Sequence, residues 1–229
     1  MGSKHKPRKI VIAIDGPAGA GKSTIARLLA KKMGFLYIDT GAMYRALTLK
    51  ALRKGLDFLN PAPLVGLTKR TKIDLENNPD GSIRVFLDKQ DVSLEIRKPE
   101  ITRFVSDAAK IPGVRKEMLF LQRKLGENAS CVLDGRDIGT VVFPNADKKF
   151  FLDADFKERV KRRYKELRAN GQDITFAEVK ADLKNRDTID STRKCAPLKK
   201  ADDALYVDTT KMAIDEVVNK LFREIKNGD

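Results

Sequence analysis

The chain has 229 residues, of which 41% are hydrophobic and 34% are charged, and its formal net charge at pH 7 is +14. This composition indicates a globular protein with one main domain, and it argues against a membrane protein because no apolar run approaches roughly 18 residues. Two cysteines are too few for a disulfide framework, and the basic segment 1–9 lacks the apolar centre of a secretory signal, so we expect a cytoplasmic protein with a flexible N-terminus.

A glycine-rich loop follows the first predicted strand, residues 10–14. Residues 9–15 read KIVIAID, a run typical of a strand buried on both faces, and the next eight residues, GPAGAGKS, match the pattern G-x-x-x-x-G-K-S. The segment STIARLLAKKMG then has helical spacing and ends on a glycine, so strand, loop and helix stand in the order that the pattern requires. We predict that this P-loop wraps the phosphates of a nucleoside triphosphate, with Lys22 on the β- and γ-phosphates and the Ser23 hydroxyl on Mg²⁺. The nucleotide-binding residues predicted on this basis are Gly16, Pro17, Ala18, Gly19, Ala20, Gly21, Lys22, Ser23 and Thr24.

Short apolar strands alternate with helices along the rest of the chain. Further strands are predicted at residues 35–38, 131–133, 149–152 and 204–207, and further helices at 42–54, 113–128, 156–170, 175–190 and 211–226. This alternation predicts an α/β fold in which a five-stranded parallel sheet is covered by helices on both faces.

Residues 60–99 follow a different pattern. The stretch KIDLENNPDGSIRVFLD reads as two strands around a Pro-Asp-Gly turn. We therefore predict a small antiparallel unit inserted into a core formed by residues 10–59 and 100–229. Such a unit could clamp a second substrate or serve the fold alone, and its sequence does not decide between the two.

Polar residues follow the second predicted strand in the stretch DTGAMYRA. Thr40 occupies the expected N-cap of the next helix, and Arg45 lies early in that helix. A hydroxyl and a guanidinium so placed could hold one phosphate. A capping threonine beside a solvated arginine is the alternative interpretation.

The third predicted strand ends in CVLDGRDIG. Asp134 stands where a carboxylate often orients the shell of a nucleotide-bound Mg²⁺, directly or through water. Arg136 and Asp137 follow it at the edge of the sheet where parallel α/β proteins bind ligands. A charged pair at that edge favours a functional role.

Two arginine-rich segments lie late in the chain. Arg159, Arg162 and Arg163 share one helix face. Arg186, Asp190 and Arg193 follow the same spacing, although Pro197 requires the helix to end soon afterwards. Cationic clamps of this kind serve phosphoryl transfer, whereas a solvated helix face is the alternative for each residue singly.

The four stretches GPAGAGKST, DTGAMYRA, DGRDIGTVVFPNA and RDTIDSTRKCAPL together resemble the bacterial cytidylate kinases. The resemblance runs in order from about residue 10 to residue 222 and departs at no motif position. It implies the nucleoside monophosphate kinase fold and the reaction of ATP with CMP or dCMP, in the presence of Mg²⁺, to give ADP and CDP or dCDP. The inserted unit resembles that family's nucleotide clamp, and residues from about 156 to 190 resemble its mobile helical lid.

The resemblance also assigns roles to single residues. It implies that the acceptor phosphate is held by Thr40, Arg45, Arg136 and Arg193. It implies that the cytosine is read by Ser106, Arg115 and Asp137, and that the sugar is held by Arg186 and Asp190. The residues expected to act on the transferring phosphoryl group are Lys22, Arg136, Arg159, Arg163 and Arg193.

Two other functions compete with this one. The first is a kinase for another small acceptor. The second is a nucleic-acid-associated P-loop ATPase, which the net charge of +14 suggests. The basic residues are spread along the chain and only 7% of residues are aromatic, so no stacking platform for nucleic acid is evident. We therefore expect a monomer that binds CMP or dCMP and ATP, without membrane or nucleic-acid partners.

Overall fold

The centre of the protein is a parallel sheet of five strands in the order β2–β6–β1–β7–β8. The computed structural model describes residues 8–127 and 129–227. The five strands are β1 (Val11–Asp15), β2 (Leu36–Asp39), β6 (Cys131–Gly135), β7 (Lys148–Asp153) and β8 (Leu205–Asp208). Ile12, Ala13 and Ile14 of β1 are completely buried, and β1 pairs with β6 on one side and β7 on the other, which confirms the predicted sheet.

Eight α-helices are described around the two sheets of the protein. They are α1 (Lys22–Met33), α2 (Thr40–Arg53), α3 (Pro61–Lys69), α4 (Pro99–Ala109), α5 (Pro112–Gly126), α6 (Phe156–Ala169), α7 (Phe176–Thr192) and α8 (Ile214–Lys226). Helix α1 ends as predicted at Gly34, whose φ of 67° lies in the left-handed region. The predicted helix 113–128 corresponds to α5, and its last residue, 128, lies outside the described residues.

Two of these helices, α3 and α4, have no counterpart among the predicted elements. Both begin with a proline, as α5 does, at a position where the missing N–H costs no hydrogen bond. A proline that suggests a loop in the sequence can therefore be the first residue of a helix, as it is in α3 and α4.

The unit predicted at residues 60–99 is larger than two strands. Its sheet contains β3 (Ile73–Asn77), β4 (Ile83–Leu87) and the unpredicted two-residue strand β5 (Gln90–Asp91), all antiparallel. The predicted turn joins β3 to β4, with the N–H of Gly81 donating to the carbonyl of Asn78 at 2.8 Å. Helix α3 and a 3₁₀ turn at Glu95–Arg97 complete the segment. The division of the chain into a core and an inserted unit stays a prediction.

The buried side chains form two hydrophobic clusters of unequal size. The larger one fills both faces of the parallel sheet and continues into the small sheet through Val85 and Leu87. The smaller one joins α6 and α7 to a single P-loop residue, Ala18. Within residues 8–127 and 129–227, no helix has the length and hydropathy needed to cross a bilayer. The predicted flexible segment 1–9 falls mainly on residues 1–7, outside the described residues.

Candidate active site

The P-loop lies between β1 and α1 and depends on its glycines. Gly16 has a φ of 146°, and a Cβ there would lie 1.9 Å from the carbonyl oxygen of Leu152 in β7. Gly21 has a φ of 84° and precedes the first turn of α1. Few residues other than glycine adopt these backbone conformations. The two glycines therefore allow the loop to turn sharply and gather its N–H groups at the N-terminus of α1, where an anion can bind.

Lys22 is buried in this loop rather than extended into solvent. Its ammonium group donates to the carbonyl of Pro17 at 2.6 Å. Burial lowers the pKa of Lys22, and the positive charge of Arg136 lowers it further. A phosphate bound next to Lys22 would stabilise the charged form of the lysine and raise its pKa again.

Asp15, the last residue of β1, was not predicted as a site residue, and it supports the start of the P-loop. Its carboxylate accepts hydrogen bonds from the backbone N–H groups of Ile138 at 2.8 Å and Gly139 at 2.7 Å. These residues begin a π-helical turn, Ile138–Val142, that follows β6. Burial raises the pKa of Asp15 to about 6. The side chain thus ties the end of β1 to the turn that carries Asp137.

Ser23 and Asp134, both predicted to serve Mg²⁺, are in direct contact. The Ser23 hydroxyl donates to Asp134 Oδ2 at 2.7 Å, and the Tyr37 hydroxyl, which the sequence analysis missed, donates to Asp134 Oδ1 at 2.8 Å. Burial raises the pKa of Asp134, and the neighbouring charge of Asp39 adds to the increase.

The oxygen atoms of Ser23 and Asp134 fit Mg²⁺, which is bound in kinases by one or two protein groups together with substrate phosphates. In the described part of the chain no three His, Cys, Asp or Glu side chains form a complete metal cage. The pair is therefore suited to an ion that a nucleotide brings with it.

The N-cap of α2 is Asp39, and the prediction of Thr40 at this position was wrong. Asp39 accepts from the N–H of Ala42 at 2.7 Å and from Arg45 Nη2 at 3.0 Å. Thr40 is the first helical residue, and its hydroxyl donates to the backbone carbonyl of Asp134 at 2.6 Å. Asp39 and Thr40 are both residue types that can cap a helix. Because β2 ends at Asp39 and α2 begins at the next residue, Asp39 occupies the N-cap.

Arg115 and Asp137 form a buried ion pair at one end of the cavity. The guanidinium of Arg115 donates to Asp137 Oδ2, and Arg193 Nη2 lies 3.6 Å from Asp137 Oδ1. The ring of Tyr44 lies 5.7 Å from the Arg115 guanidinium. Ser106 is buried on the wall of the same cavity. The structure therefore brings together the three residues that the resemblance assigned to the base.

Asp190 connects the arginines of the second segment. It accepts from Arg136 Nε at 2.7 Å and lies 3.5 Å from Arg193 Nη1. Burial acts to raise the pKa of Asp190, but these two positive charges outweigh it and hold the pKa below its usual value. Burial together with the charge of Arg136 lowers the pKa of Arg186, one turn earlier, to about 10. Helix α7 ends at Thr192, so Arg193 lies just beyond it.

Three of the four arginines of α6, those predicted to share one helix face, have different surroundings. Arg159 Nη1 donates to the Ala18 carbonyl at 3.0 Å and to Asp187 Oδ2 at 2.6 Å, which places it on the P-loop. Arg163 lines the cavity and pairs with Glu166. Arg162 instead donates to the Thr209 carbonyl at 2.7 Å and holds α6 to the loop after β8.

These groups surround one open cavity of about 650 Å³, a size typical of small-molecule sites. Among the described residues that line it, nine are lysine or arginine and five are aspartate or glutamate, an excess of four positive charges. The cavity thus accounts for part of the net charge of +14.

Several of the cavity's arginines have hydrogen-bonding capacity to spare. Six buried side-chain polar atoms of the described residues lack a hydrogen-bond partner, and four of these are nitrogens of arginines at the cavity wall. They are Arg45 Nε, Arg163 Nε, Arg186 Nε and Arg193 Nη2. Buried cationic donors without acceptors are costly in a folded protein, so their concentration here indicates an anionic ligand.

Some residues of the cavity carried no usable signal in the sequence. Arg27 of α1 and Arg97 of the 3₁₀ turn line the wall, as does Ser82 from the turn before β4. Arg27 has the spacing of an ordinary solvated helix residue. The unpredicted turn at residues 95–97 gave no reason to place Arg97 near the P-loop.

Comparison with known proteins agrees with this geometry. The model of the cytidylate kinase family matches residues 12–227. The cytidylate kinase of Clostridioides difficile is 50% identical over 216 residues, which cover 94% of this chain and 98% of that protein. The cytidylate kinase of Bacillus licheniformis is 47% identical over 216 residues, covering 94% and 96%. An uncharacterized protein from Eubacterium ventriosum, solved by crystallography, shares the fold with a TM-score of 0.53 and 13% identity, over 95% of this chain and 99% of its own. The chain belongs to the cytidylate kinase family.

Proposed function

We propose that the protein transfers the γ-phosphoryl group of ATP to CMP or dCMP. The observation that supports this most directly is the single cavity that runs from the P-loop to the buried pair Arg115–Asp137. One end of the cavity suits a triphosphate and the other suits a base with adjacent donors and acceptors. Membership of the cytidylate kinase family supports the same assignment.

ATP would bind with its phosphates against the P-loop. The loop backbone and the N-terminus of α1 supply N–H groups, and Lys22 supplies a positive charge. Ser23 and Asp134 would hold Mg²⁺, with Asp134 acting directly or through water. When bound, the ion neutralises charge on the β- and γ-phosphate oxygens.

The phosphate of the acceptor would lie between α2 and the end of α7. We assign it to Thr40, Arg45, Arg136 and Arg193. Two of these arginines have a nitrogen without a hydrogen-bond acceptor, Arg45 Nε and Arg193 Nη2, and a phosphate offers acceptors for both. The hydroxyl of Thr40 would exchange its present acceptor, the Asp134 carbonyl, for a phosphate oxygen.

Cytosine would be read by Asp137 and Arg115. Asp137 would accept from the exocyclic amino group of the base, as carboxylates do when they read cytosine in DNA. Arg115 would donate to the ring nitrogen and carbonyl, and Ser106 would complete the contact from α4. Arg186 and Asp190 would hold the sugar.

Transfer itself requires no proton removal by the protein, because the attacking oxygen belongs to an ionised phosphate. The task of the side chains is to bring two anions together and to stabilise the charge of the transferring group. We assign this task to Lys22, Arg136, Arg159, Arg163 and Arg193. The α6–α7 lid would close over the site and exclude water, which would otherwise accept the phosphoryl group.

A coupled assay of ADP release over a panel of acceptors tests the proposal. We expect CMP and dCMP to be used at least about 100-fold more efficiently, in kcat/KM, than UMP, AMP, GMP or a hydroxylated metabolite. Preference for another acceptor would contradict the assignment of substrate while leaving a kinase. ATPase activity that requires RNA or DNA and falls with salt would contradict it in favour of a nucleic-acid-associated ATPase.

We also infer that one chain forms a complete enzyme, because residues of one chain line the cavity on the P-loop side and on the base side. Sedimentation of the active enzyme as a monomer would agree with this inference. Activity confined to a dimeric fraction would contradict it.

A further inference from the structure

Asp187 of α7 contacts two parts of the site at once. Its Oδ2 accepts from Arg159 Nη1 at 2.6 Å, and its Oδ1 lies 3.3 Å from the backbone N–H of Ala18. Asp187 is separated from the P-loop by more than 160 residues of sequence and from Arg159 by 28. One carboxylate therefore bridges the lid arginine and the P-loop backbone.

The contacts of Arg159 define where its guanidinium is held. Nε donates to the carbonyl of Ala154 at 3.1 Å, and Nη1 donates to the carbonyl of Ala18 at 3.0 Å. Both are neutral acceptors. Asp187 supplies the near charged partner at 2.6 Å, since the other carboxylate within reach, Asp153, lies 3.8 Å away. A hydrogen bond between two charged groups is about twice as strong as a neutral one and fixes direction more strictly.

The position on the P-loop matters as much as the strength of the contact. Lys22 donates to the carbonyl of Pro17, and the N–H of the same peptide unit, on Ala18, points to Asp187. The next carbonyl, that of Ala18, accepts from Arg159. Lys22 and Arg159 thus bind successive carbonyls of the loop, and Asp187 contacts the backbone between them.

We propose that Asp187 is a positioning residue that holds Arg159 against the P-loop, where the guanidinium meets the transferring phosphoryl group from the side of the lid. This inference rests on the proposed function, because it needs a phosphoryl group in transfer. The negative charge of Asp187 also offsets the repulsion between Arg159 and the other cations of the site while no phosphate is bound. A neutral isostere would keep the shape of the contact and lose this charge.

A double-mutant cycle tests the proposal, with kcat and KM for CMP measured for the wild type, Asp187→Asn, Arg159→Ala and the double variant. We expect Asp187→Asn to lower kcat about 10- to 100-fold while KM for CMP stays within about twofold, since the interaction acts mainly in the transition state. If Asp187 acts through Arg159, the double variant will be no slower than Arg159→Ala. A double variant whose loss of kcat equals the product of the two single losses would overturn the proposal, because the two residues would then act independently.

Two further variants separate positioning from folding. Asp173→Asn makes the same change in the same helical hairpin, at a fully exposed side chain that pairs with Arg168, and we expect wild-type kinetics. Asp187→Glu keeps the charge and is expected to be at least about fivefold faster than Asp187→Asn. Equal rates for the two would overturn a role based on charge, and a shared loss of melting temperature would assign Asp187 to the fold. An inactive wild type would refute the proposed function, whereas an active wild type with multiplied effects refutes only the role of Asp187.

Discussion

The P-loop and the predicted lid, α6 and α7, face the same cavity but are stabilised in different ways. The P-loop begins at β1, whose residues Ile12, Ala13 and Ile14 are completely buried in the larger core. The lid rests on the smaller cluster, in which Val160 and Leu183 pack around Ala18. Arg159 and Asp187 add hydrogen bonds from the lid to the backbone of Ala18 in the P-loop.

From this difference we predict that the P-loop is a fixed part of the site and that the lid can open. Displacing the P-loop would break strand hydrogen bonds on both sides of β1 and expose a large apolar core. Lifting the lid would expose the few apolar side chains of the smaller cluster. It would also transfer to water the hydrogen bonds to the Ala18 backbone and the Arg136–Asp190 ion pair, whose groups are well solvated there. We therefore expect the site to keep its phosphate-binding geometry while the lid admits and releases nucleotides.

The strongest test of the fixed part is Lys22→Ala. We expect kcat/KM to fall on the order of 1000-fold or more, because Lys22 is the charged group of the P-loop, while the fold is retained. Lys32→Ala, on the exposed side of the same helix, is the matched control and is expected to keep wild-type activity. Near-normal turnover by folded Lys22→Ala, checked by circular dichroism and thermal melting, would contradict the assignment of the P-loop.

The support beneath the P-loop predicts a pH dependence of stability. Burial raises the pKa of Asp15 from 3.8 to about 6, so the folded protein binds the proton of this carboxyl group more tightly than the unfolded chain does. The stabilisation that comes from this raised pKa is fully present below about pH 3.8, the ordinary pKa of the group. It is lost as the pH rises through about 6, the pKa in the folded protein. We expect the wild type to lose about 2 kcal/mol of unfolding free energy relative to Asp15→Asn between pH 4 and pH 7. Urea unfolding of both proteins at intervals over this range measures the difference, and a constant difference would show that Asp15 does not titrate there.

Base selection tests the other fixed wall of the cavity, the turn after β6. In Asp137→Asn the amide can present its N–H₂ to the carbonyl of uracil, so the ratio of kcat/KM for CMP over UMP is expected to narrow. The loss for CMP should be about 5- to 150-fold, which corresponds to about 1–3 kcal/mol. Asp190→Asn also removes a carboxylate from an arginine cluster of this cavity, but we expect it to weaken both substrates alike. An unchanged ratio in folded Asp137→Asn would assign Asp137 to the support of its arginines alone.

The smallest effect, and the most direct test of the comparison, is a difference in hydrogen exchange. A bisubstrate analogue should slow backbone exchange about tenfold in the predicted lid, α6 and α7. We expect weaker added protection in residues 60–99, because β4 already packs on the larger core. Protection confined to the P-loop would show that the lid does not close on its ligands.

The features that the sequence predicted correctly are those that neighbouring residues determine. The P-loop, the strand before it and the end of α1 at Gly34 each depend on a few consecutive residues, and all three lie where they were expected. The choice between Asp39 and Thr40 as N-cap depends on where β2 stops pairing with β6, which is not a local property.

The residues that escaped prediction act over long distances in the chain. Asp187 resembles any solvated acidic residue of a helix until α7 is placed against the P-loop. Tyr37 reads as an apolar strand residue, although its hydroxyl meets Asp134 almost a hundred residues later. Asp15 ends a strand in the usual way, and its acceptor role depends on a turn formed at Ile138.

The order of strands in the sheet has a consequence for the synthesis of this protein. β1 is the first strand to be made, but its two neighbours begin at Cys131 and Lys148. A nascent chain that ends after α5 contains every residue of the P-loop and has neither flanking strand of β1. The cost of closing two loops of more than a hundred residues is met only when β6 and β7 arrive. The P-loop is therefore made long before the two strands that fix its position, and its native shape has to wait for both.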